Sequence, residues 1–269
     1  MIPSLLQLFV TALALLVGSV AAVSLSLVVS ARGRHGPTPT DSPKHLVIVL
    51  GSGGHTAEMM NMLRQLSCLK TKFSHRTYIV SLGDDFSASR AREFEAHVSE
   101  PAPGASDRPN DDRSRGIYSI LTVTRARRIH QSLLTTPWSA LLCLKDCIAA
   151  LRGTHPDQNT SFSGQPADLI ITNGPGTGVC VVLAAVILRV LHPLANVFPV
   201  WYRSEGSQTR QQFFTPRTRT VFIESWARVT TLSLSGKVLL PLVDRFLVQW
   251  PSLQGRGNGR AEYVGALVA

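Results

Sequence analysis

Leu46-Val-Ile-Val-Leu50, Gly51-Ser-Gly-Gly-His-Thr56 and Ala57-Glu-Met-Met-Asn-Met-Leu-Arg-Gln-Leu66 are the consecutive pieces of sequence that decide the fold. The first run is apolar and β-branched, as a buried parallel strand requires. The glycine run breaks it, and the third piece reads as a helix. A glycine loop between a parallel strand and a helix leaves backbone N–H groups unpaired at the positive helix end, a setting that favours phosphate. Alone it is a weak signal, because a tight strand–helix turn uses glycine for geometry. It is not the dinucleotide fingerprint, since Thr56 stands where the third glycine would fall, and no Lys-Ser/Thr follows to make a Walker loop.

A second unit of the same form strengthens the reading. Asp168-Leu-Ile-Ile-Thr172 leads into Asn173-Gly-Pro-Gly-Thr-Gly178 and an apolar helix. In an open parallel sheet both loops fall at the carboxyl edge, where ligands bind. Two N–H-rich loops on one edge suit a diphosphate, one turn for each phosphate. The candidate binding residues are Gly51, Ser52, Gly53, Gly54 and Thr56 in the first loop, with Asn173, Gly174, Gly176, Thr177 and Gly178 in the second.

Strands are expected at Leu46–Leu50, Arg76–Leu82, Ile117–Val123, Leu169–Thr172, Val221–Glu224 and Arg245–Gln249, and helices at 55–67, 87–97, 132–152, 177–191 and 232–243. Strands alternating with helices indicate an α/β, Rossmann-like parallel sheet. His55, in the first turn of its helix, reads as a phosphate donor, a base, or simply a capping polar residue. Glu224 ends a strand, so its carboxylate is expected at the same edge. Arg125, Arg127, Arg128, His130 and Gln131 form a basic cluster after the third strand, either a solvated surface or a contact for lipid headgroups or a lipid-linked diphosphate.

Residues 1–31 carry no charged side chain. Leu5 to Val29 would form a helix of roughly 38 Å at about 1.5 Å per residue, enough to cross a bilayer. Arg32 and Arg34 follow, so the N-terminus is expected in the lumen and the bulk of the chain in the cytosol. A cleaved signal peptide is the alternative, with small residues at Ala21-Ala22, although the apolar run is long for one and lacks a basic start. The layout expected is therefore an anchor over 1–31, a linker over 32–44 and one domain over 45–269. Within that domain 99–116 reads as a polar, Pro-rich and disordered insertion and 153–165 as a second mobile loop, while 197–216 has no clear place. The run from Gly178 to Leu191 is apolar, but Arg189 argues against a second span.

Cys68, Cys143, Cys147 and Cys180 form neither a metal motif nor a disulfide framework, and the pair one helical turn apart reads as buried apolar residues. Asn159-Thr-Ser161 is a glycosylation sequon that matters only in the lumen. A formal charge of +10 suits an anionic partner. Nucleic acid is discounted because the cations are scattered, without an aromatic platform or a reading helix.

Taken together, Val49-Leu-Gly-Ser-Gly-Gly-His-Thr56, Asp168 to Gly178, Glu224-Ser225, Leu232-Ser-Leu-Ser-Gly-Lys237 and Asp244-Arg-Phe-Leu-Val-Gln-Trp-Pro251 resemble the membrane-anchor subunit of the UDP-N-acetylglucosamine transferase of asparagine-linked glycosylation. The resemblance implies the acceptor-side half of a split GT-B glycosyltransferase. A small soluble catalytic subunit would supply the donor-binding half as a heterodimer and bring UDP-GlcNAc. The complex would add the second GlcNAc to dolichyl-diphosphate-GlcNAc at the cytosolic face of the endoplasmic reticulum membrane, or of the contiguous nuclear membrane. This chain would be inactive alone. His55 and Glu224 are then the candidate catalytic groups. Neither a resident cofactor nor a metal is expected, since Asp84-Asp85 and Asp111-Asp112 have no convincing metal-binding location and GT-B enzymes generally use none. Two rival readings stand beside it. One is a membrane-tethered nucleotide-dependent enzyme with Asp84 on a ribose; the other is a structural adaptor whose glycine loops are only turns.

Overall fold

A computed structural model describes residues 44–66, 68–99, 117–128, 131–132, 135–158, 167–197 and 218–267. The expected anchor and linker, His130, the sequon, most of the two insertions and nearly all of 197–216 lie outside these. Among the described residues, no helix is long and apolar enough to cross a membrane.

Seven strands form one sheet in the order β3-β2-β1-β4-β5-β6-β7, and every adjacent pair is parallel. They are β1 (His45–Val49), β2 (His75–Ser81), β3 (Ile117–Val123), β4 (Leu169–Thr172), β5 (Arg219–Ile223), β6 (Arg245–Val248) and β7 (Ala261–Tyr263). The helices are α1 (Gly54–Gln65), α2 (Leu69–Lys72), α3 (Asp85–Ser99), α4 (Thr136–Arg152), α5 (Thr177–Val197) and α6 (Leu234–Leu239).

The period-two alternation of β1 sets the layers. Leu46, Ile48 and Leu50 pack with Met59, Met60 and Leu63 of α1 and with Ala91 and Phe94 of α3. Val47 and Val49 pack on the other face with Cys143, Cys147 and Ala150 of α4 and Val181, Ala184 and Ala185 of α5. All of β1 is buried, as befits the centre of a sheet covered on both sides. A third cluster joins Val182 of α5 to Phe222, Leu239 and Phe246, the two phenylalanine rings stacked 5.1 Å apart. Cys143 and Cys147 are fully buried and free, in line with the apolar reading of that pair.

Two ion pairs stand inside the apolar layers. Arg76 grips Glu95 of α3 with Nε and Nη2, each at 2.7 Å, and Tyr78 donates to the same carboxylate at 2.6 Å. Arg189 of α5, 8% exposed, pairs with Asp244, which also accepts from the N–H and hydroxyl of Thr220 at 2.7 and 2.8 Å. A guanidinium neutralised in this way belongs to a globular core, as Arg189 suggested in the sequence. At the β3 edge, the N–H of Thr122 donates to Asp157 at 3.1 Å and that of Thr124 to Asp146 at 2.9 Å.

Element boundaries differ from the sequence reading in instructive places. α4 starts at Thr136, with Pro137 in its first turn, instead of at 132. α5 stays helical to Val197, past Pro193. α6 is only six residues long, begun by Ser233, whose hydroxyl accepts from the N–H of Gly236. β7 was not expected. It is three residues long and follows a turn in which Gly255, Gly257, Asn258 and Gly259 all have positive φ.

Burial raises the Asp244 carboxyl, but the charge and hydrogen bonds of Arg189 and the donors of Thr220 outweigh it and hold the group below its ordinary value of 3.8. A folded-state value below the unfolded one contributes stability above pH 3.8, and that stability is lost as pH falls through the folded value. Asp244→Asn should therefore cost about 3–5 kcal/mol at neutral pH by stranding Arg189. Urea unfolding followed from pH 7 to pH 3 should show the difference between variant and wild type shrinking only in the acid range.

Candidate functional site

β1 and β4 are neighbours, yet the chain leaves them in opposite directions, toward α1 on one face and α5 on the other. The crevice between two such diverging connections is where an open α/β sheet receives its ligand. Both glycine loops meet there, backbone against backbone. A Cβ built on Gly51 would lie 2.7 Å from the Cβ of His55 and 3.1 Å from the Cα of Gly174, and one on Gly174 would lie 2.9 Å from the Cα of Gly51. Glycine at these two positions is a condition of contact between the loops.

Gly53 begins α1 with φ 62° and ψ −121°, a conformation that only glycine adopts easily, and no side chain caps the helix. Ser52, Gly53 and Gly54 are exposed, so the positive end of a twelve-residue helix opens on the crevice. Gly176, with φ 65°, lies against Ala126 of the loop after β3. The other members of the two loops serve the fold. Thr56 is buried and donates to the Gly51 carbonyl while sharing a 2.6 Å hydrogen bond with Ser87. Thr177 is tied to Ser81 at 2.7 Å, and Gly178 makes room for the Thr172 hydroxyl. Asp84, which the nucleotide reading placed on a ribose, accepts from the N–H and hydroxyl of Ser87 in the first turn of α3.

The polar centre of the crevice is Glu58. Its Oε1 accepts from the Ser225 hydroxyl at 2.9 Å and the Trp226 N–H at 3.1 Å, and its Oε2 accepts from Asn173 Nδ2 at 3.3 Å. Asn173 Nδ2 also donates to the His55 carbonyl at 2.8 Å. His55 Nδ1 lies 3.7 Å from Glu58 Oε2. Burial raises the Glu58 carboxyl, but the facing His55 ring, the Ser225 hydroxyl and the Trp226 N–H outweigh it and hold the group below its ordinary value. Sequence reasoning passed over Glu58. The available signal was its position three residues after His55, which places both on one helix face.

Glu224 follows the end of β5, as expected, but its carboxylate turns inward. It is 1% exposed, and its Oε2 accepts from the N–H and hydroxyl of Ser233 at 3.0 and 3.1 Å. A Cβ on Gly236 would come 2.2 Å from that oxygen. The carboxylate thus fastens the start of α6, while the next residue, Ser225, turns toward Glu58. The Trp226 and Trp250 rings pack beside it, 4.3 Å apart.

The basic loop borders the second glycine loop through Ala126. Arg125 is half-buried and Arg127 and Arg128 are exposed. Gln131 braces the loop: it accepts from the Arg128 N–H at 2.8 Å and donates to Ser139 of α4 at 2.9 Å. Beyond it α4 exposes Trp138, Leu141 and Leu142, 69%, 57% and 38% accessible, on one face with Lys145. Among the described residues, no group of three or more His, Cys, Asp or Glu side chains is placed to hold a metal ion.

Residues 46–267 match the family described as "Oligosaccharide biosynthesis protein Alg14 like". The UDP-N-acetylglucosamine transferase subunit alg14 of Aspergillus fumigatus is 46% identical over 228 residues, which cover 78% of this chain and 100% of that protein. The subunit of that name from Schizosaccharomyces pombe is 35% identical, with 82% of each chain covered. The subunit ALG14 of Homo sapiens is 30% identical, with 86% of each covered. No solved structure matches the chain.

Gly51→Ala and Gly174→Ala should each destabilise the protein by about 1–3 kcal/mol, since the added methyl meets backbone that must move. Both spoil the same contact, so the double variant should lose less than the sum of the two in urea unfolding.

Proposed function

The chain belongs to the Alg14-like family of oligosaccharide biosynthesis proteins, and from that premise we propose that it is the membrane-anchoring, acceptor-presenting subunit of a UDP-GlcNAc transferase. In this reading the sheet is the acceptor-side half of a split GT-B enzyme. A small soluble partner brings UDP-GlcNAc and the donor pocket, and the pair adds the second GlcNAc to dolichyl-diphosphate-GlcNAc. The complex works at the cytosolic face of the endoplasmic reticulum membrane and the contiguous nuclear membrane, held there by residues 1–31.

The meeting of two glycine loops at the crevice between β1 and β4 carries this reading. Exposed Ser52, Gly53 and Gly54 and the turn at Gly176 suit an acceptor diphosphate. The neighbouring surface suits the lipid that bears it. Arg125, Arg127 and Arg128 match anionic headgroups, and Trp138, Leu141 and Leu142 match the interfacial region beneath them.

The test is GlcNAc transfer from UDP-GlcNAc to a dolichyl-diphosphate-GlcNAc analogue by this chain, by its soluble partner and by the mixture. Transfer by the mixture alone is expected, and transfer by this chain alone would overturn the split-enzyme reading. Gly53→Val and Gly176→Val should lose at least about tenfold in turnover while still binding the partner. Unchanged turnover in both would favour an adaptor whose glycine loops are only turns.

A further inference from the structure

We propose that Glu58 is a positioning residue for His55: it holds the ring with Nδ1 protonated, so that Nε2 is free to take a proton from the acceptor hydroxyl. The inference rests on the transferase reading and assigns a role to a carboxylate that the sequence did not single out. Three observations carry it. His55 Nδ1 is buried and has no hydrogen-bond partner among the described residues, and Glu58 Oε2 lies 3.7 Å from it. The Glu58 carboxylate is fixed by donors from two other elements, Asn173 after β4 and Ser225 and Trp226 after β5. The His55 side chain is 30% exposed although Nδ1 is buried, so the exposed part of the side chain lies away from Nδ1.

An imidazole nitrogen facing a carboxylate carries the proton, which leaves the lone pair on the opposite nitrogen. Glu58 is ionised at neutral pH, since its donors hold its carboxyl below the usual range. Among the described residues, Gly51 lies against the His55 side chain and Asn173 Nδ2 donates to the His55 carbonyl, and both are neutral. Glu224 is turned away onto Ser233. Catalytic hydrogen bonds are commonly long before substrate arrives, and 3.7 Å is within reach of a small ring rotation. In the transfer step the acceptor oxygen bonds to the anomeric carbon of the UDP-sugar. The bond from that carbon to the phosphate oxygen breaks, UDP leaves with the electron pair, and the hydroxyl proton moves to Nε2. Glu58 stays ionised opposite the imidazolium that forms.

The experiment uses the full chain with its soluble partner and reads kcat, acceptor KM and pH profiles for wild type, Glu58→Gln, Glu58→Asp and His55→Ala. Glu58→Gln should lower kcat by about 10–100-fold with acceptor KM within about twofold. Its pH–rate profile should differ from that of the wild type, because the ring loses the carboxylate that orients it. Glu58→Asp should recover part of the rate, and adding Glu58→Gln to His55→Ala should cost nothing further. An unaltered kcat and pH–rate profile in folded, partner-bound Glu58→Gln would overturn the proposal. So would a loss confined to acceptor KM, which would make His55 a phosphate donor. Independently of any Glu58 variant, ¹⁵N spectra of the wild-type complex should show His55 with Nδ1 protonated and Nε2 bare, its signals identified by their loss in His55→Gln. The reverse tautomer would sink the role of Glu58. A wild-type complex that transfers nothing would count against the transferase reading, while the ring spectra would still decide the pairing.

Discussion

The contact between Gly51 and Gly174 constrains the rest of the molecule, because it fixes how close two oppositely directed connections can come. With side chains there, the loops after β1 and β4 would separate, and the crevice would widen into an ordinary surface groove. With glycine, the helix start after β1 and the turn after β4 share one floor. Asn173 then reaches across to the His55 carbonyl and to Glu58. The polar centre of the site follows from two missing methyl groups.

Around that floor the protein uses its polar side chains as struts. Asp84, Ser87 and Thr56 form a chain of hydrogen bonds from α3 to the Gly51 carbonyl, and Arg76 and Tyr78 clamp α3 to the sheet through Glu95. On the opposite face Arg189 and Asp244 tie α5 to β5. The exposed N–H groups at the start of α1 thus stand on a rigid frame. A ligand meeting them need not order the loop first, which is what preorganisation means in energetic terms.

The central strands were legible because their chemistry is local: β3 and β4 run over the residues that the apolar patterns delimit, and β1 and β2 begin one residue earlier. β7 was not legible, because its three residues carry no periodicity and its position depends on the glycine turn before it. The site divides along the same line. That Gly53 and Gly176 hold positive φ in loops at one edge could be inferred from residue type and order. Which way a polar side chain turns could not. Glu224 and Ser225 are adjacent at the end of β5, yet one is drawn inward by Ser233 and the other reaches Glu58 across 167 residues of sequence. Thr56 and Thr177 looked like ligand hydroxyls and were taken by Ser87 and Ser81, partners from other elements.

The edge at β3 has a bearing on how the protein behaves in a crowded cell. An outer strand with idle amide groups is a template on which another chain can add a strand, and β3 begins with the exposed apolar pair Ile117 and Tyr118. Asp157 and Asp146 occupy the outward amides of Thr122 and Thr124 and set negative charge along the same margin. An incoming strand would have to displace two carboxylates and bury them or push them aside. The β3 margin of the sheet is thereby guarded against strand addition.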